Sequence, residues 1–306
     1  MISLPEIQQK IHGEIRVHEP LAPLTPFGVG GPADYLVRPS GRNDLTTALT
    51  YFQQQDIPVV LIRSGSPNLI SDQGFRGACF LIDTALGELF REAGGAVLAG
   101  AAVRLTALAD SCISSGLAGA ERWAGVEMTI GEALVAGPEH GAENFSSFVE
   151  NVDVWSAGIE STVSLEEFER KYRNESDERS VILSAHLRFQ PGEKDSLMRS
   201  RREFLIERNR FRPVNIAHGG IVFKDPPGLR AAELLERAGM KGKKRGGAMV
   251  SRDHANVFYN NGGAKAQDFL RLILDAQKAV RLQTSVNLEL DITLLGFATT
   301  VLQEVA

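Results

Sequence analysis

The chain has 306 residues, a length that allows two domains or three small ones. Hydrophobic residues make up 43% and charged residues 23%, which excludes a disordered or fibrous chain. The 33 basic and 38 acidic residues give a net charge of −5, so we expect neither nucleic acid nor a membrane as the main partner. The 30 glycines exceed the usual share and predict many tight backbone positions, as in proteins that cradle phosphates or cofactors.

The first part of the chain predicts a small α/β unit. Ile7, Ile11 and Ile15 are spaced by four and indicate a short amphipathic helix. A turn-rich segment then leads to a strand at 35–37, and Asn43 is the expected N-cap of the next helix. The apolar run 57–62 indicates a buried strand, followed by a glycine- and serine-bearing loop.

The rest of the chain repeats these elements less regularly. Ser164 and Glu167 form a capping box, and Gly239 is the expected C-cap of a helix. The sequence Gln-Pro-Gly at 190–192 predicts a domain boundary. Further strands are expected at 78–82, 96–99, 148–155, 181–189 and 286–294, and further helices at 105–116, 164–172, 197–205, 229–238 and 269–280.

Two cysteines, Cys79 and Cys112, each lie in an apolar stretch. We expect buried thiols there, not a disulfide framework or a structural zinc site. The first twenty residues contain acidic residues and no long apolar core, and no apolar run reaches the length of a membrane span. These features predict a cytoplasmic protein.

Several common chemical motifs are absent from the sequence. No G-x-G-x-x-G follows a strand, and neither a Walker A sequence nor a G-x-S-x-G elbow is present. The six histidines are scattered and form no metal-ligand pair at helical spacing, so no metal site is expected. The basic run 241–245 could meet a phosphate, but a solvated loop is the favoured interpretation.

A set of segments together resembles the UDP-N-acetylenolpyruvoylglucosamine reductase family, also called UDP-N-acetylmuramate dehydrogenase. The resemblance runs from about residue 24 to residue 296, and the C-terminal third carries it best. The segments are PFGVGGPAD (26–34), SDQGFRG (71–77), GLAGAE (116–121), YR (172–173), VFKDP (222–226), AAELLERAGMKG (231–242), GGA (246–248), VSRDHAN (250–256) and NGGA (261–264).

This resemblance implies an α+β fold in which a two-part, PCMH-like FAD-binding region precedes a C-terminal α+β substrate-binding domain. The implied ranges are 1–77 and 78–190 for the FAD-binding region and 191–306 for the substrate domain. The implied reaction reduces the enolpyruvyl group of a UDP-linked amino sugar in peptidoglycan precursor synthesis, with FAD and NADPH as cofactors. The resemblance also implies a monomer.

The resemblance also implies roles for particular residues. Arg173 is the expected catalytic arginine, because a guanidinium can bind a carboxylate through two parallel hydrogen bonds. Glu289 is the expected catalytic glutamate, on the polar face of the last predicted strand. Lys224 and Asp225 are the expected substrate-binding residues. The expected cofactor-binding residues are Gly65, Ser66, Asp72, Thr129 and Gly131.

The sequence departs from the family pattern at the proton-donor position, where the family has a serine and this chain has Ile221. An isoleucine cannot donate a proton, and His218 is a candidate substitute. The family's asparagine after the lysine is Asp225, whose charge repels a diphosphate. The serine of the family's Y-R-x-S is Glu175.

Both flavin loops also depart from the family pattern. In the first, Arg63 replaces a glycine and Pro67 removes a backbone N–H donor. In the second, Met128 and Glu132 replace glycines. These changes predict weak FAD binding and leave two hypotheses. The first is an active reductase with altered loops, and the second is a catalytically inactive homologue that serves as a binding or interaction protein.

Overall fold

A computed structural model of the chain describes residues 4–63, 67–126, 128–136, 145–173, 180–209 and 219–298. It divides into two compact units whose segments alternate along the sequence. Unit 1 is built from Met1–Glu14, Arg38–Ile57 and Phe80–Arg212, and unit 2 from Ile15–Val37, Pro58–Cys79 and Pro213–Ala306. The domain ranges 1–77, 78–190 and 191–306 stay a prediction.

Eight α-helices and one π-helical turn occur among the described residues. The π-helical turn is Glu169–Arg173, directly after α5. The α-helices are α1 (Leu4–Lys10), α2 (Arg42–Gln54), α3 (Leu105–Ser114), α4 (Ile130–Ala136), α5 (Leu165–Phe168), α6 (Lys194–Asn209), α7 (Ala231–Arg237) and α8 (Ala266–Thr284).

The described strands are mostly short. They are β1 (Glu14–Pro20), β2 (Pro32–Arg38), β3 (Val59–Ile62), β4 (Asn68–Ile70), β5 (Phe75–Leu81), β6 (Leu89–Arg91), β7 (Ala96–Gly100), β8 (Leu117–Ala118), β9 (Val149–Ser156), β10 (Ile159–Ser164), β11 (Ser180–Arg188), β12 (Gln190–Pro191), β13 (Gly219–Ile221), β14 (Lys244–Arg245), β15 (Ala248–Val250), β16 (Val257–Asn260) and β17 (Thr293–Leu295).

Unit 1 is organised around an antiparallel sheet of order β10-β9-β11-β7-β6. In β11, every second residue is apolar and buried, so these side chains cover one face of the sheet, as the two-residue period of a strand requires. Trp123 is buried in the core of this unit, and its ring makes edge contacts with Phe145 and Phe189 at centroid distances of 5.2 and 6.2 Å. The unit therefore has a hydrophobic core of its own.

Unit 2 contains two four-stranded sheets, of order β1-β2-β5-β3 and β13-β16-β15-β14. A parallel pair joins β17 to β4, with Leu294 opposite Leu69. Helix α8 buries an apolar stripe in the core of this unit, where Phe269 packs edge-on against Phe27 at 5.0 Å. Strands from both ends of the sequence thus build this unit.

The predicted N-terminal helix is shorter than the spacing of its isoleucines indicated. Helix α1 ends at Lys10, and Ile15 lies in strand β1. Gly13 explains the break, because a Cβ atom there would lie 2.2 Å from the carbonyl oxygen of Arg38. The chain must therefore leave the helix to pass close to that backbone.

The prediction that Asn43 caps α2 is wrong. Gly41 is the N-cap, and it supplies no side-chain hydrogen bond. The buried carboxylate of Asp44 organises this corner instead. It accepts hydrogen bonds from the backbone N–H groups of His12, Gly13 and Ser40 and from the Ser40 hydroxyl.

The predicted strand 286–294 forms only in part. Leu290 makes an isolated bridge with Phe223, and regular pairing begins at Thr293. The burial pattern of the segment still alternates: Leu288 and Ile292 are buried, whereas Asn287, Glu289 and Asp291 are exposed. The side-chain period is thus the predicted one, although the Gln277 side chain, not a neighbouring strand, donates to the Leu288 carbonyl.

The other predicted elements form with boundaries shifted by a few residues, and Ser164 caps α5 by accepting from the Glu167 N–H. Cys79 and Cys112 are both buried thiols, and burial raises the pKa of each to about 12. Within the described ranges, no helix is long and apolar enough to cross a membrane. The same ranges contain no cluster of three or more His, Cys, Asp or Glu side chains able to hold a metal ion.

Candidate functional site

Lys224 and Glu289, both predicted from the sequence, lie side by side in unit 2. The isolated bridge between Phe223 and Leu290 brings the two segments together. The Lys224 N–H then donates to the Glu289 carbonyl at 2.9 Å, and the Lys224 Nζ lies 3.5 Å from Glu289 Oε2. The side chains are 42% and 74% exposed, so both can reach a ligand in solvent.

Asn256 fixes the backbone that presents Lys224. Its side chain is 3% exposed and forms two hydrogen bonds with one residue, Phe223. Asn256 Oδ1 accepts from the Phe223 N–H at 3.0 Å, and Nδ2 donates to the Phe223 carbonyl at 2.7 Å. A buried amide that satisfies both polar groups of a neighbouring chain holds that chain in one register. The sequence offered only the position of Asn256 at the end of a recognised segment.

Asp225, a predicted substrate-binding residue, is engaged with its own chain. Its Oδ1 accepts from the Ala231 N–H at 2.8 Å, in the first turn of α7. A carboxylate at the start of a helix is stabilised by the helix dipole and by a backbone donor. The local structure thus gives Asp225 a helix-stabilising contact, while its role toward substrate stays a prediction.

Ile221 lies at the end of β13, opposite Val257 of β16, and is half-buried. Its side chain contains no proton to donate. His218, the candidate substitute, lies outside the described residues, as does Glu175.

Arg173 ends the π-helical turn of unit 1. Its guanidinium lies 2.7 Å from Glu169 Oε1, and its side chain is 20% exposed. The preceding Tyr172 stacks on Phe168 at a centroid distance of 6.1 Å, which anchors the turn. Arg173 and Glu289 belong to different units, and their convergence on one substrate stays a prediction.

The predicted cofactor residues Thr129 and Gly131 lie where α4 begins. Thr129 Oγ1 accepts from the Glu132 N–H at 3.3 Å, and Glu132 Oε2 accepts from the Thr129 N–H at 2.7 Å. This reciprocal pair is a capping box. The sequence T-I-G-E carries the same signal as the correctly predicted box at Ser164, but sequence reasoning missed it because the segment was compared only with a flavin loop.

Three further backbone donors of the 128–133 turn are also used within unit 1. The Ile130 N–H donates to the Val103 carbonyl at 2.9 Å, and the Gly131 N–H to the Ala101 carbonyl at 2.9 Å. The Ala133 N–H donates to the Thr129 carbonyl at 2.9 Å. A diphosphate needs backbone N–H groups that point at it. The donor set from Thr129 to Ala133 therefore does not fit the diphosphate of FAD in this conformation.

Asp72, another predicted cofactor residue, caps α8. Its Oδ1 accepts from the Ala266 N–H at 2.8 Å, and its Oδ2 from the Gln267 N–H at 3.1 Å. Both carboxylate oxygens thus have partners in unit 2. Gly65 and Ser66 lie outside the described residues. The neighbouring Pro67 carbonyl accepts from the Thr293 N–H at 2.9 Å, so this end of the first loop is tied to the parallel pair.

A polar cluster that the sequence did not indicate lies in unit 1 around the buried carboxylate of Asp153. Ser184 and Thr162 donate to it at 2.6 and 2.7 Å, and His186 and Arg42 lie at 3.1 Å. Burial opposes ionisation of Asp153, but these hydrogen bonds outweigh it and lower its pKa to about 2. The cluster ties α2 to the sheet and is structural.

The basic run 241–245 is partly neutralised by neighbouring acids. Lys241 Nζ lies 2.7 Å from Glu236 Oε1, and Arg245 Nε lies 2.5 Å from Asp275 Oδ2. These exposed pairs are consistent with a solvated segment.

Known proteins with similar sequences share one description. The profile of the family described as "UDP-N-acetylenolpyruvoylglucosamine reductase, C-terminal domain" matches residues 212–295. The UDP-N-acetylenolpyruvoylglucosamine reductase of Chloroherpeton thalassium is 33% identical over 97% of this chain and 98% of its own length. The reductase of Alkalilimnicola ehrlichii is 37% identical over 94% of this chain and 96% of its own.

Two solved structures have folds similar to that of this chain. The crystal structure of UDP-N-acetylenolpyruvylglucosamine reductase from Thermus caldophilus matches with a TM-score of 0.71 and 26% identity, covering 93% of this chain and 99% of that one. A Physcomitrella patens protein titled BBE-like 1 matches in fold alone, with a TM-score of 0.55 at 12% identity. The predicted α+β fold is confirmed, and the chain belongs to the UDP-N-acetylenolpyruvoylglucosamine reductase family.

Proposed function

We propose that this protein reduces the enolpyruvyl group of UDP-N-acetylenolpyruvoylglucosamine to give UDP-N-acetylmuramate, with NADPH as the reductant, in peptidoglycan precursor synthesis. The observation that carries this proposal is the match to reductases of this name along nearly the whole chain. The exposed Lys224, held beside Glu289, supports it, because the substrate bears a diphosphate that a lysine can bind.

The substrate-binding part of the proposal assigns two basic residues to two anionic groups. Lys224 meets the diphosphate as a compact charge on a flexible stem. Arg173 binds the carboxylate of the enolpyruvyl group through its planar fork. To do so, Arg173 exchanges its contact with Glu169, which costs little because that pair is partly exposed.

The chemical part of the proposal concerns charge that develops during reduction. Hydride addition to the carbon–carbon double bond leaves negative charge next to the carboxylate, and a proton then completes the saturated lactyl ether. Arg173 is proposed to stabilise this charge and to orient the carboxylate, while Glu289, itself an anion, keeps Lys224 in place beside the substrate. Ile221 cannot deliver the proton, so another group or water supplies it.

The family resemblance implies FAD as the carrier between NADPH and substrate. The 128–133 turn does not fit its diphosphate, so no step is assigned to flavin here. The activity is therefore measured both with and without added FAD.

The specific observation that favours a second candidate is Ile221 at the proton-donor position. In that case the chain binds a UDP-linked amino sugar without reducing it. The two candidates differ in turnover and share ligand binding, so one set of measurements separates them.

The test incubates the purified full chain with substrate and NADPH, with and without excess FAD, and follows NADPH absorbance and product mass. We expect UDP-N-acetylmuramate to form, at a higher rate when FAD is added. Arg173→Lys and Glu289→Gln should lower the rate. If calorimetry detects substrate binding but no turnover occurs at saturating FAD, the reductase proposal is wrong and the chain is a binding protein.

A further inference from the structure

The turn that resembles the family's second flavin loop already holds an anion, the Glu132 side chain. Its Oε2 lies 2.7 Å from the Thr129 backbone nitrogen, a distance typical of a charge-assisted hydrogen bond. Thr129 is 4% exposed, so this donor is screened from water by its surroundings. The carboxylate thus uses a backbone donor that a phosphate bound at this turn would need.

Three other donors of the turn are already used. Ile130 and Gly131 give their N–H groups to the carbonyls of Val103 and Ala101, and Glu132 gives its own to Thr129 Oγ1. The turn packs closely at Gly131, since a Cβ atom there would lie 3.3 Å from both the Cβ and the carbonyl oxygen of Ala101. The backbone at Gly131 thus faces Ala101, directly after strand β7.

We propose that Glu132 closes the 128–133 turn against the diphosphate of FAD and thereby lowers the chain's affinity for that cofactor. This inference rests on the proposed function only for the choice of FAD as ligand. A diphosphate must displace the carboxylate from the Thr129 N–H and then lie beside the displaced negative charge. Both effects lower affinity, the first through a lost hydrogen bond and the second through like-charge repulsion.

Two substitutions separate these effects. Glu132→Ala removes both the competing acceptor and the charge. Glu132→Gln removes the charge but keeps an oxygen that can accept from the Thr129 N–H, so it also guards against a failure to fold. Glu193 provides a matched control, because its carboxylate accepts from the Asp195 and Ser196 N–H groups at the start of α6, at 2.9 and 2.7 Å. Glu193→Ala thus removes an equal charge and a similar cap elsewhere in unit 1.

The experiment titrates each full-length protein with FAD by flavin fluorescence and records its melting temperature. We expect weak binding by the unsubstituted chain and at least about tenfold tighter binding by Glu132→Ala, since a hydrogen bond to a charged group is worth that much. Glu132→Gln should lie between the two. Glu193→Ala should lower the melting temperature without changing FAD affinity.

Three results would overturn the inference. One is stoichiometric FAD retained by the unsubstituted chain through purification. Another is a lower melting temperature in both Glu132 variants with unchanged FAD affinity, which would leave Glu132 as a helix cap alone. The third is an equal gain in Glu193→Ala. Because the readout is binding, it stands apart from turnover: a reductase that works at saturating FAD is compatible with either result.

Discussion

At the scale of single residues, polar side chains accept hydrogen bonds from the backbone N–H groups of several turns. Glu132 and Thr129 each accept a hydrogen bond from the backbone N–H of the other. Asp72 and Asp225 accept from backbone N–H groups in the first turns of α8 and α7. A side chain already committed to backbone must give up that contact before it can bind a ligand. The residues that the resemblance predicts to bind ligands therefore also stabilise the local structure.

Ile221 is the residue where a single change should add chemistry. Ile221→Ser places a hydroxyl at the family's proton-donor position, and general acid catalysis typically contributes about 10²- to 10⁴-fold. With FAD in excess, we expect the rate of substrate reduction to rise within that range. Ile221→Ala is the control, because it makes the same space without a hydroxyl. Equal rates in both variants would show that the proton comes from elsewhere.

Asp44 predicts how stability depends on pH. Burial opposes its ionisation, but the Ser40 hydroxyl and three backbone N–H groups outweigh burial and lower its pKa to about 2. Because the folded pKa lies below the unfolded value of about 3.9, the contribution is present at neutral pH and is lost as pH falls toward 2. We expect Asp44→Asn to cost about 2 kcal/mol at pH 7, roughly half of that near pH 3, and little near pH 2.

Urea denaturation of both proteins across this pH range measures the difference. A constant gap between Asp44→Asn and the unsubstituted chain would mean that ionisation of Asp44 does not contribute to it. Asp56 offers a control, since it is exposed at the end of α2 and Asp56→Asn should show no gap at either pH.

At the scale of elements, α8 depends on a residue that is distant in sequence. Asp72 accepts from both Ala266 and Gln267, so Asp72→Ala should destabilise the protein by about 1 kcal/mol, as the loss of a helix cap does. Asp253→Ala, an exposed aspartate of the same unit, should change stability little. FAD affinity measured on the same variants tests the other predicted role: a loss confined to Asp72→Ala would establish a cofactor contact in addition to the cap.

Hydrophobic periodicity predicted most of the helices and strands because the spacing of apolar side chains along an element determines which of its faces is buried. The helix 105–113 buries all five apolar residues that define it, and the strand at 181–189 alternates as expected. Two errors lie where a distant group intervenes. The break at Gly13 depends on the approach of Arg38, and the interrupted last strand depends on the Gln277 side chain. The third error is local: at the start of α2, Asp44 accepts from the Ser40 N–H, whereas Asn43 is the expected cap.

At the scale of the whole molecule, the family assignment came from ordered motifs, whereas the alternation of segments between the two units had no local signal. Arg173 and Glu289 lie in different units, and their joint action is the prediction that links them. If both act on one carboxylate, Arg173→Lys and Glu289→Gln should affect kcat/KM non-additively, with a coupling of about 0.5–3 kcal/mol.

A double-mutant cycle at saturating FAD measures this coupling. Arg170→Lys is the matched control for the arginine, because Arg170 is exposed in the same helical turn. If the effects of Arg173→Lys and Glu289→Gln on kcat/KM are strictly additive, the two residues act independently.

The alternation of segments also affects how the protein is made. Translation delivers Phe27 and strand β4 well before their partners Phe269 and β17. The early segments of unit 2 must therefore wait, with apolar surface uncovered, while some 130 residues of unit 1 leave the ribosome. Such a nascent chain is a natural client for chaperones that hold unfinished sheets, and an interrupted translation product would lack half of its second core.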